Sequence, residues 1–250
     1  MPFIFSMAAQ YGLIGYPLTH SFSPDWFAEK FAAEGIDAVY KAYPLENIES
    51  INDLLANYPL KGLNVTIPYK KDVVEFLDHI SPAVEKIGAV NCIDIRNGKR
   101  YGHNTDVIGF GKSLTPLLQP HHTKALILGT GGAAQAVKYV LDMLSIEYQS
   151  VSRNRSEESL AYEDITKELI AQYPLIINTT PLGMLPNTDI APEIPYHVLT
   201  EKHLLYDLIY NPVETKFLRL GKKYGAAIKN GHEMLILQAE ASWEIWNTLT

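Results

Sequence analysis

The chain has 250 residues, 47% of them hydrophobic and 20% charged, a balance that supports a folded core and excludes disorder as the dominant state. Its 21 basic and 28 acidic residues leave a net charge of −7, so nucleic-acid binding through phosphates is not expected. A single cysteine, Cys92, excludes a disulfide framework and a cysteine-based zinc cluster, and no apolar run reaches the ~20 residues that span a bilayer.

Strand-like and helix-like segments alternate along the chain, which predicts an α/β fold. The apolar stretch Pro2–Ala9 lacks a basic leader, the first positive charge being Lys30. It reads as a short extension with Met7 as a candidate start, and the protein is expected in the cytoplasm. Tyr11–Gly15 reads as a buried strand. Pro24–Glu34 reads as a helix with Phe27, Ala28, Phe31 and Ala32 on one face, Ser23 as its N-cap and Pro24 in the first position. Val39–Ala42 and Leu63–Thr66 read as strands, with a helix over Asn47–Tyr58 between them. Asn97-Gly98 is a hairpin turn signal between Ala89–Ile95 and Tyr101–Asn104. Asp106–Leu118 reads as a helix with Val107, Phe110, Leu114 and Leu117 inward.

A βαβ unit follows the connection over 116–123. Its strand is Ala125–Leu128, its helix Gly132–Leu144 and its second strand Tyr148–Val151. Further strands are expected at Leu175–Asn178, Leu204–Asp207 and Ala227–Lys229, and a last helix over Glu233–Thr248. The turn Gly129-Thr130-Gly131-Gly132-Ala133-Ala134 stands between strand and helix, as a dinucleotide loop requires. Gly129 permits the tight turn, Gly131 the approach of a pyrophosphate, and Ala134 close helix–strand packing. Methyltransferases use such loops as well, so the cofactor needs a second signal. At the end of the next strand an NAD enzyme places an acid for the ribose hydroxyl. This chain has Ser152-Arg153-Asn154-Arg155. A guanidinium there binds a 2′-phosphate, so NADP is expected over NAD, with Arg153 and also Arg155 as candidate readers.

The N-terminal half is dense in small polar groups beside strand ends. Ser21 and Ser23 lie in GYPLTHSFSP, Asn64, Thr66 and Lys70 in LNVTIPYK, Asn91 in GAVNC, and Asp106 in GHNTD. Taken singly, each has an ordinary structural explanation as a cap, a turn former or a solvated charge. With GTGGAA, NTTPLGM, YDLIYNP and NGHEMLILQA they form an ordered set from Gly15 to Ala239 that resembles the shikimate dehydrogenase family. The resemblance implies a substrate-binding domain over 1–104, completed by a C-terminal helix over 232–250. It implies a Rossmann NADP-binding domain over 105–231, an interdomain cleft, and hinge closure near Asn104–Asp106 and Gly231. The implied reaction is the NADP-dependent, reversible reduction of 3-dehydroshikimate to shikimate in aromatic amino-acid biosynthesis.

On the same resemblance, Ser21, Ser23 and Tyr210 would hold the substrate carboxylate. Asn64, Thr66, Asn91 and Gln238 would bind ring oxygens, and Lys70 and Asp106 would be the catalytic pair. Gly129, Gly131, Gly132 and Ala133 would line the pyrophosphate, with Ser152, Arg153 and Asn154 at the adenosine phosphate. Thr179, Thr180, Met184 and Gly231 would border the nicotinamide. Where this chain reads Ser152-Arg153-Asn154, the family commonly reads Asn-Arg-Thr, and the stretch between Ser156 and Leu175 looks too short for its usual helix-rich segment. The partners expected are a small-molecule substrate, no nucleic acid and no membrane, in a monomer or homodimer. The alternatives are a quinate/shikimate dehydrogenase with relaxed substrate or cofactor use, a non-catalytic ligand-binding relative, and a Rossmann methyltransferase. No metal site is expected: His232-Glu233 opens like a zinc motif, but position 236 is Ile. His20 and His103 are expected to serve packing or loop hydrogen bonds, and Trp243 and Trp246 to anchor domain packing.

Overall fold

A computed structural model describes residues 8–18 and 21–248. The expectations for His20 and for the extension before residue 8 lie outside the described residues. Two compact units divide the chain: residues up to Thr105 together with those from Ala239 on, and Asp106–Gln238.

The first unit carries β1 (Ala9–Gly15), α1 (Phe22–Glu34), β2 (Ala38–Pro44), α2 (Ile51–Asn57), β3 (Leu60–Val65), β4 (His79–Ile80), α3 (Pro82–Ile87), β5 (Cys92–Arg96) and β6 (Lys99–His103). Its six-stranded sheet has the order β2-β1-β3-β5-β6-β4. β1 is parallel to β2 and β3, whereas β5 is antiparallel to β3 and β6. Asn97 and Gly98 turn the β5–β6 hairpin at φ 53° and 74°, the left-handed conformation that a two-residue hairpin demands and that Asn and Gly tolerate. Helix α1 starts two residues earlier than the Ser-Pro pair suggests. Its N-cap is Ser21, whose side chain makes no capping bond. Phe27 and Phe31 are its buried residues, while Ala28 and Ala32 face solvent. Methyl groups contribute little to burial, so the large aromatics decide which side turns inward. Trp246, from the C-terminal segment of this unit, stacks on Tyr11 at 4.8 Å and donates its indole N–H to the Ile93 carbonyl at 2.9 Å. A Cβ on Gly62 would strike the same indole, so a glycine in mid-strand is what seats the tryptophan. Trp243 meets Tyr11 edge-on at 5.4 Å, and both tryptophans belong to the aromatic core of this unit.

The second unit carries α4 (Asp106–Leu114), β7 (Lys124–Leu128), α5 (Gly132–Met143), β8 (Glu147–Ser152), β9 (Ser159–Ala161), α6 (Lys167–Gln172), β10 (Leu175–Asn178), β11 (Leu204–Asp207), α7 (Lys216–Lys223), β12 (Ala227–Lys229) and the start of α8 (His232–Asn247). All six strands are parallel, in the order β12-β11-β10-β7-β8-β9. Alternate residues of β7 feed opposite cores. Ala125 and Ile127 pack with Phe110 and Val137, while Leu126 and Leu128 pack with Phe217 and Leu218. Helices on both faces of a parallel sheet bury both sides, which explains why its strands read as continuous apolar runs. Helix α4 ends at Leu114, and a 3-10 turn over Thr115–Leu117 follows. Pro116 cannot continue the α-helical ladder, so Leu117 is only half-buried. The stretch from Ser156 to Leu175, expected to hold little, contains the edge strand β9 and helix α6.

Candidate active site

The strand order of the second sheet reverses between β7 and β10, and the carboxyl ends of strands at such a point form a ready crevice. A cleft of about 380 Å³ opens there, lined by Gly129, Thr130 and Gly131 after β7, Ser152 and Arg153 after β8, and the Thr179–Leu182 loop after β10. Gly129 holds φ at 115°, and a Cβ on it would come within 2.5 Å of Thr179 Oγ1. Thr179 donates its amide and its hydroxyl to the Leu128 carbonyl at 2.9 and 2.8 Å, which closes the loop against β7. A Cβ on Gly131 or Gly132 would meet nothing, so their bareness serves no contact within the protein and leaves backbone open to a ligand. Gly131 caps α5, Gly132 opens it, Ala133 follows half-buried, and Ala134 is enclosed in the core behind the loop. The start of a helix presents unsatisfied N–H groups to an anion.

At the end of β8 the two arginines part company. Arg155 pairs with the Asp164 carboxylate through both its Nε and a terminal nitrogen. Asp164 also accepts the Ala161 amide at 2.8 Å, and that bond, followed by the guanidinium, holds its carboxyl below the usual range. Arg153 lines the cleft and also a neighbouring pocket of about 550 Å³. Ser152 turns its hydroxyl to the Asn154 carbonyl, and Asn154 itself is exposed. Tyr162, Pro181, Leu182 and Thr130 line the cleft as well. Pro181 and Leu182 lie inside the NTTPLGM motif and Thr130 inside the glycine loop, but no sequence signal marks Tyr162. Its buried hydroxyl has no hydrogen-bond partner among the described residues, and burial pushes the phenol up to about 12. Met184 is outside this lining and 46% exposed. The donor set suits a dinucleotide with a 2′-phosphate. Backbone N–H groups face the cleft, a guanidinium stands where an acid would repel that phosphate, and an orphaned phenol borders it.

The carboxyl ends of β10, β11 and β12 are stitched together. The Leu208 amide donates to the Asn178 carbonyl at 3.0 Å, and the Gly231 amide to the Ile209 carbonyl at 3.0 Å. A Cβ on Gly231 would collide with the Leu208 carbonyl. Tyr210, half-buried, follows Ile209, and burial raises its phenol. Gln238 is buried on α8 and donates Nε2 to the Leu235 carbonyl at 2.9 Å. Asp106, buried as the first residue of α4, belongs to this unit.

In the first unit, a buried polar network gathers Ser23, Asn64 and Asn91 from among the other predicted residues. Tyr40 donates its hydroxyl to Asn64 Oδ1 at 2.8 Å, and Ser23 is a further hydrogen-bonding partner of that phenol. Asn64 Nδ2 donates to the Asn91 carbonyl at 3.1 Å and to Ser242 Oγ at 2.8 Å. Asn91 Oδ1 accepts the Thr105 amide at 2.6 Å, and its Nδ2 donates to Thr105 Oγ1 at 3.0 Å. Asn64 therefore spends both amide hydrogens on the protein. Thr66 and Lys70 lie half-buried just beyond β3. The Thr66 amide donates to the Ile14 carbonyl at 2.9 Å, and the Lys70 carbonyl accepts from the Val90 amide at 2.7 Å, fixing the Lys70 backbone against the segment that carries Asn91. Thr105 lies inside the GHNTD motif without being singled out, whereas Tyr40 on β2 and Ser242 on α8 carried no sequence signal.

The remaining candidates take structural places. Cys92 is buried, and desolvation pushes its thiol up to about 12, which removes thiolate reactivity near neutrality. His121 and His122 both turn Nε2 to the Lys202 carbonyl, at 2.9 and 3.2 Å. Burial lowers the pKa of His103. Among the described residues no group of three or more His, Cys, Asp or Glu is placed to hold a metal ion, and no helix is long and apolar enough to cross a membrane.

A doubly wound unit with a dinucleotide cleft and an arginine at the ribose position, joined in one chain to a unit with a buried polar network, defines a two-unit nicotinamide-dependent dehydrogenase. Residues 13–93 match the family profile described as the shikimate dehydrogenase substrate binding domain. The chain belongs to the shikimate dehydrogenase family. It is 40% identical to shikimate dehydrogenase (NADP(+)) of Clostridium beijerinckii over 94% of this chain and 91% of that protein. It is 38% identical to the protein of the same name from Methanococcus maripaludis, over 94% and 90%. The crystal structure of shikimate 5-dehydrogenase from Thermus thermophilus, in complex with NADP(H) and shikimate, superposes with a TM-score of 0.85 at 29% identity. That match covers 96% of this chain and 94% of the other.

Proposed function

We infer that this chain is an NADP-dependent oxidoreductase that reversibly reduces 3-dehydroshikimate to shikimate in aromatic amino-acid biosynthesis. The observation that carries the reading is the match at 40% identity over nearly the whole of both chains to an NADP-dependent shikimate dehydrogenase. The cleft supports it: Arg153 occupies the position where an NAD enzyme keeps an acid, beside an open glycine backbone. When bound, the reduced cofactor supplies the hydride.

The roles of individual side chains follow from their chemistry. Lys70 is the proton donor in the reductive direction and the acceptor in the other, and its ammonium stabilises the charge developing on the carbonyl oxygen. Asp106 is its acidic partner and binds a neighbouring hydroxyl. Ser21, Ser23 and Tyr210 offer neutral donors to the substrate carboxylate. Thr66, Asn91 and Gln238 offer donors and acceptors matched to a polyol. Asn64, already bonded to Tyr40, Asn91 and Ser242, serves by holding that frame. Gly129, Gly131, Gly132 and Ala133 face the pyrophosphate, and Arg153 reads the 2′-phosphate with Ser152 and Asn154 beside it. Thr179, Thr180, Gly231 and Met184 are assigned to the nicotinamide side. A site built on paired hydroxyls rejects a substrate that lacks one, because protein groups are then left buried and unpaired.

The test is absorbance at the reduced-nicotinamide band, with shikimate or quinate offered alongside NADP+ or NAD+. Rapid reduction of NADP+ by shikimate is expected, with far slower turnover in the other three combinations. The Lys70→Ala variant should lose about 10²- to 10⁴-fold in kcat with shikimate KM little changed. Absence of NADP+ reduction by shikimate sinks the reading, and an unimpaired Lys70→Ala removes that lysine from proton transfer.

A further inference from the structure

Asp207 has no part in the roles above. It closes β11 and is fully buried, and among the described residues no cation pairs with it. Its Oδ1 accepts from Asn178 Nδ2 at 3.0 Å and from the Ile209 amide at 3.1 Å, while Oδ2 accepts the Thr215 hydroxyl at 2.6 Å. Asn178 turns its own Oδ1 the other way, to the Thr180 amide at 3.0 Å and the Thr180 hydroxyl at 2.6 Å. Thr180 is a wall of the dinucleotide cleft. Ile209 leads into Tyr210, and Thr215 is the N-cap of α7. One carboxylate thus grips the loop after β10 and both ends of the loop after β11.

We propose that Asp207 is a positioning residue for the reduction: through Asn178 and Ile209 it sets the cofactor loop Thr179–Leu182 and the Tyr210 loop in one register. The proposal rests on the function inferred above, because it assigns those loops to cofactor and substrate. A neutral side chain at 207 avoids the desolvation that burial of a carboxylate carries. Alanine there removes the acceptor shared by Asn178, Ile209 and Thr215. The two loops then lose their common anchor although the sheet beneath them is unchanged. Burial also pushes the Asp207 carboxyl up to about 6, so the chain keeps this acid at a site that resists its charge.

The experiment measures NADP+ affinity by calorimetry on the enzyme without substrate, and then the steady-state constants for both substrates. Asp207→Ala should weaken NADP+ binding about tenfold and raise the KM for shikimate as well. Asn178→Ala cuts only the path to Thr180, so it should weaken NADP+ binding to a similar extent while leaving the shikimate KM near the wild-type value. In the pair Asp207→Ala with Asn178→Ala, the losses in NADP+ affinity should not multiply, because the second change removes what the first already released. NADP+ affinity within about twofold of wild type in a folded Asp207→Ala overturns the proposal, and so does a full product of losses in the pair. If Asp207→Ala does not fold, an unchanged affinity in Asn178→Ala overturns it. A wild-type chain that binds no NADP+ removes the inferred function and this proposal together, whereas normal wild-type binding with unaffected variants removes this one alone.

Discussion

Arg153 and Arg155 stand two positions apart, yet only the first lines the cleft. The second is held by Asp164 in a two-pronged pair. A charge-assisted contact to a phosphate is worth about 1.5–3 kcal/mol. Arg153→Ala should therefore weaken NADP+ binding by roughly 10- to 150-fold and leave NAD+ binding nearly unchanged, measured as the ratio of the two dissociation constants. Equal losses for both dinucleotides would show that Arg153 does not read the 2′-phosphate. That an arginine follows β8 was legible in the sequence, because the glycine loop fixes where to look for the ribose contact. Which of the two arginines is available was not, since it depends on a carboxylate nine positions further on that the edge strand β9 delivers. Asn64 teaches the same limit. Its motif marks it as part of a site, but only the fold shows that Tyr40, Asn91 and Ser242 occupy its amide.

At the scale of elements, long or strongly patterned segments were readable and short ones were not. β10 and β11 fall on the residues expected, as does the Asn97-Gly98 hairpin, because buried parallel strands are apolar throughout and the turn has few sequence solutions; the three-residue, partly exposed β12 is the one short segment that also falls where expected. The two-residue strand β4, the three-residue β9 and the six-residue helices α3 and α6 were missed. Segments that short have no period to detect, and their stability comes from what they pack on. Helix α7 is different. Thr215 as N-cap, with Phe217, Leu218 and Gly221 buried on one face, was a visible pattern that went unread. The close seating of Trp246 on β3 was invisible from sequence, since it needs a glycine and a tryptophan far apart in the chain. It yields a direct test. Gly62→Ala places a methyl group against the indole and should destabilise the protein by about 1–3 kcal/mol in urea unfolding. Full stability would mean that the indole has room to shift.

For the molecule as a whole, acidity and stability are linked through Asp207. Its carboxyl, ordinarily near 3.8, sits at about 6 because burial penalises its charge. A carboxyl raised on folding contributes stability that is fully present below the unfolded value and is lost as pH rises through the folded one. The melting temperature of Asp207→Asn should therefore gain on that of the wild type between about pH 4 and about pH 7 and hold a constant difference above that. A constant difference over that range would mean that the carboxyl titrates at its ordinary value in the folded protein. The two units also differ at their margins. The dinucleotide sheet ends in three-residue strands on both sides, while the other sheet ends on β2, seven residues long among the described residues. An open strand of that length is a template on which foreign backbone can add. Lys41 midway along it and Pro44 at its end are the kinds of residue that discourage such addition. Replacing that lysine with an apolar, β-branched side chain would take away a safeguard against fibrous self-association without touching either ligand.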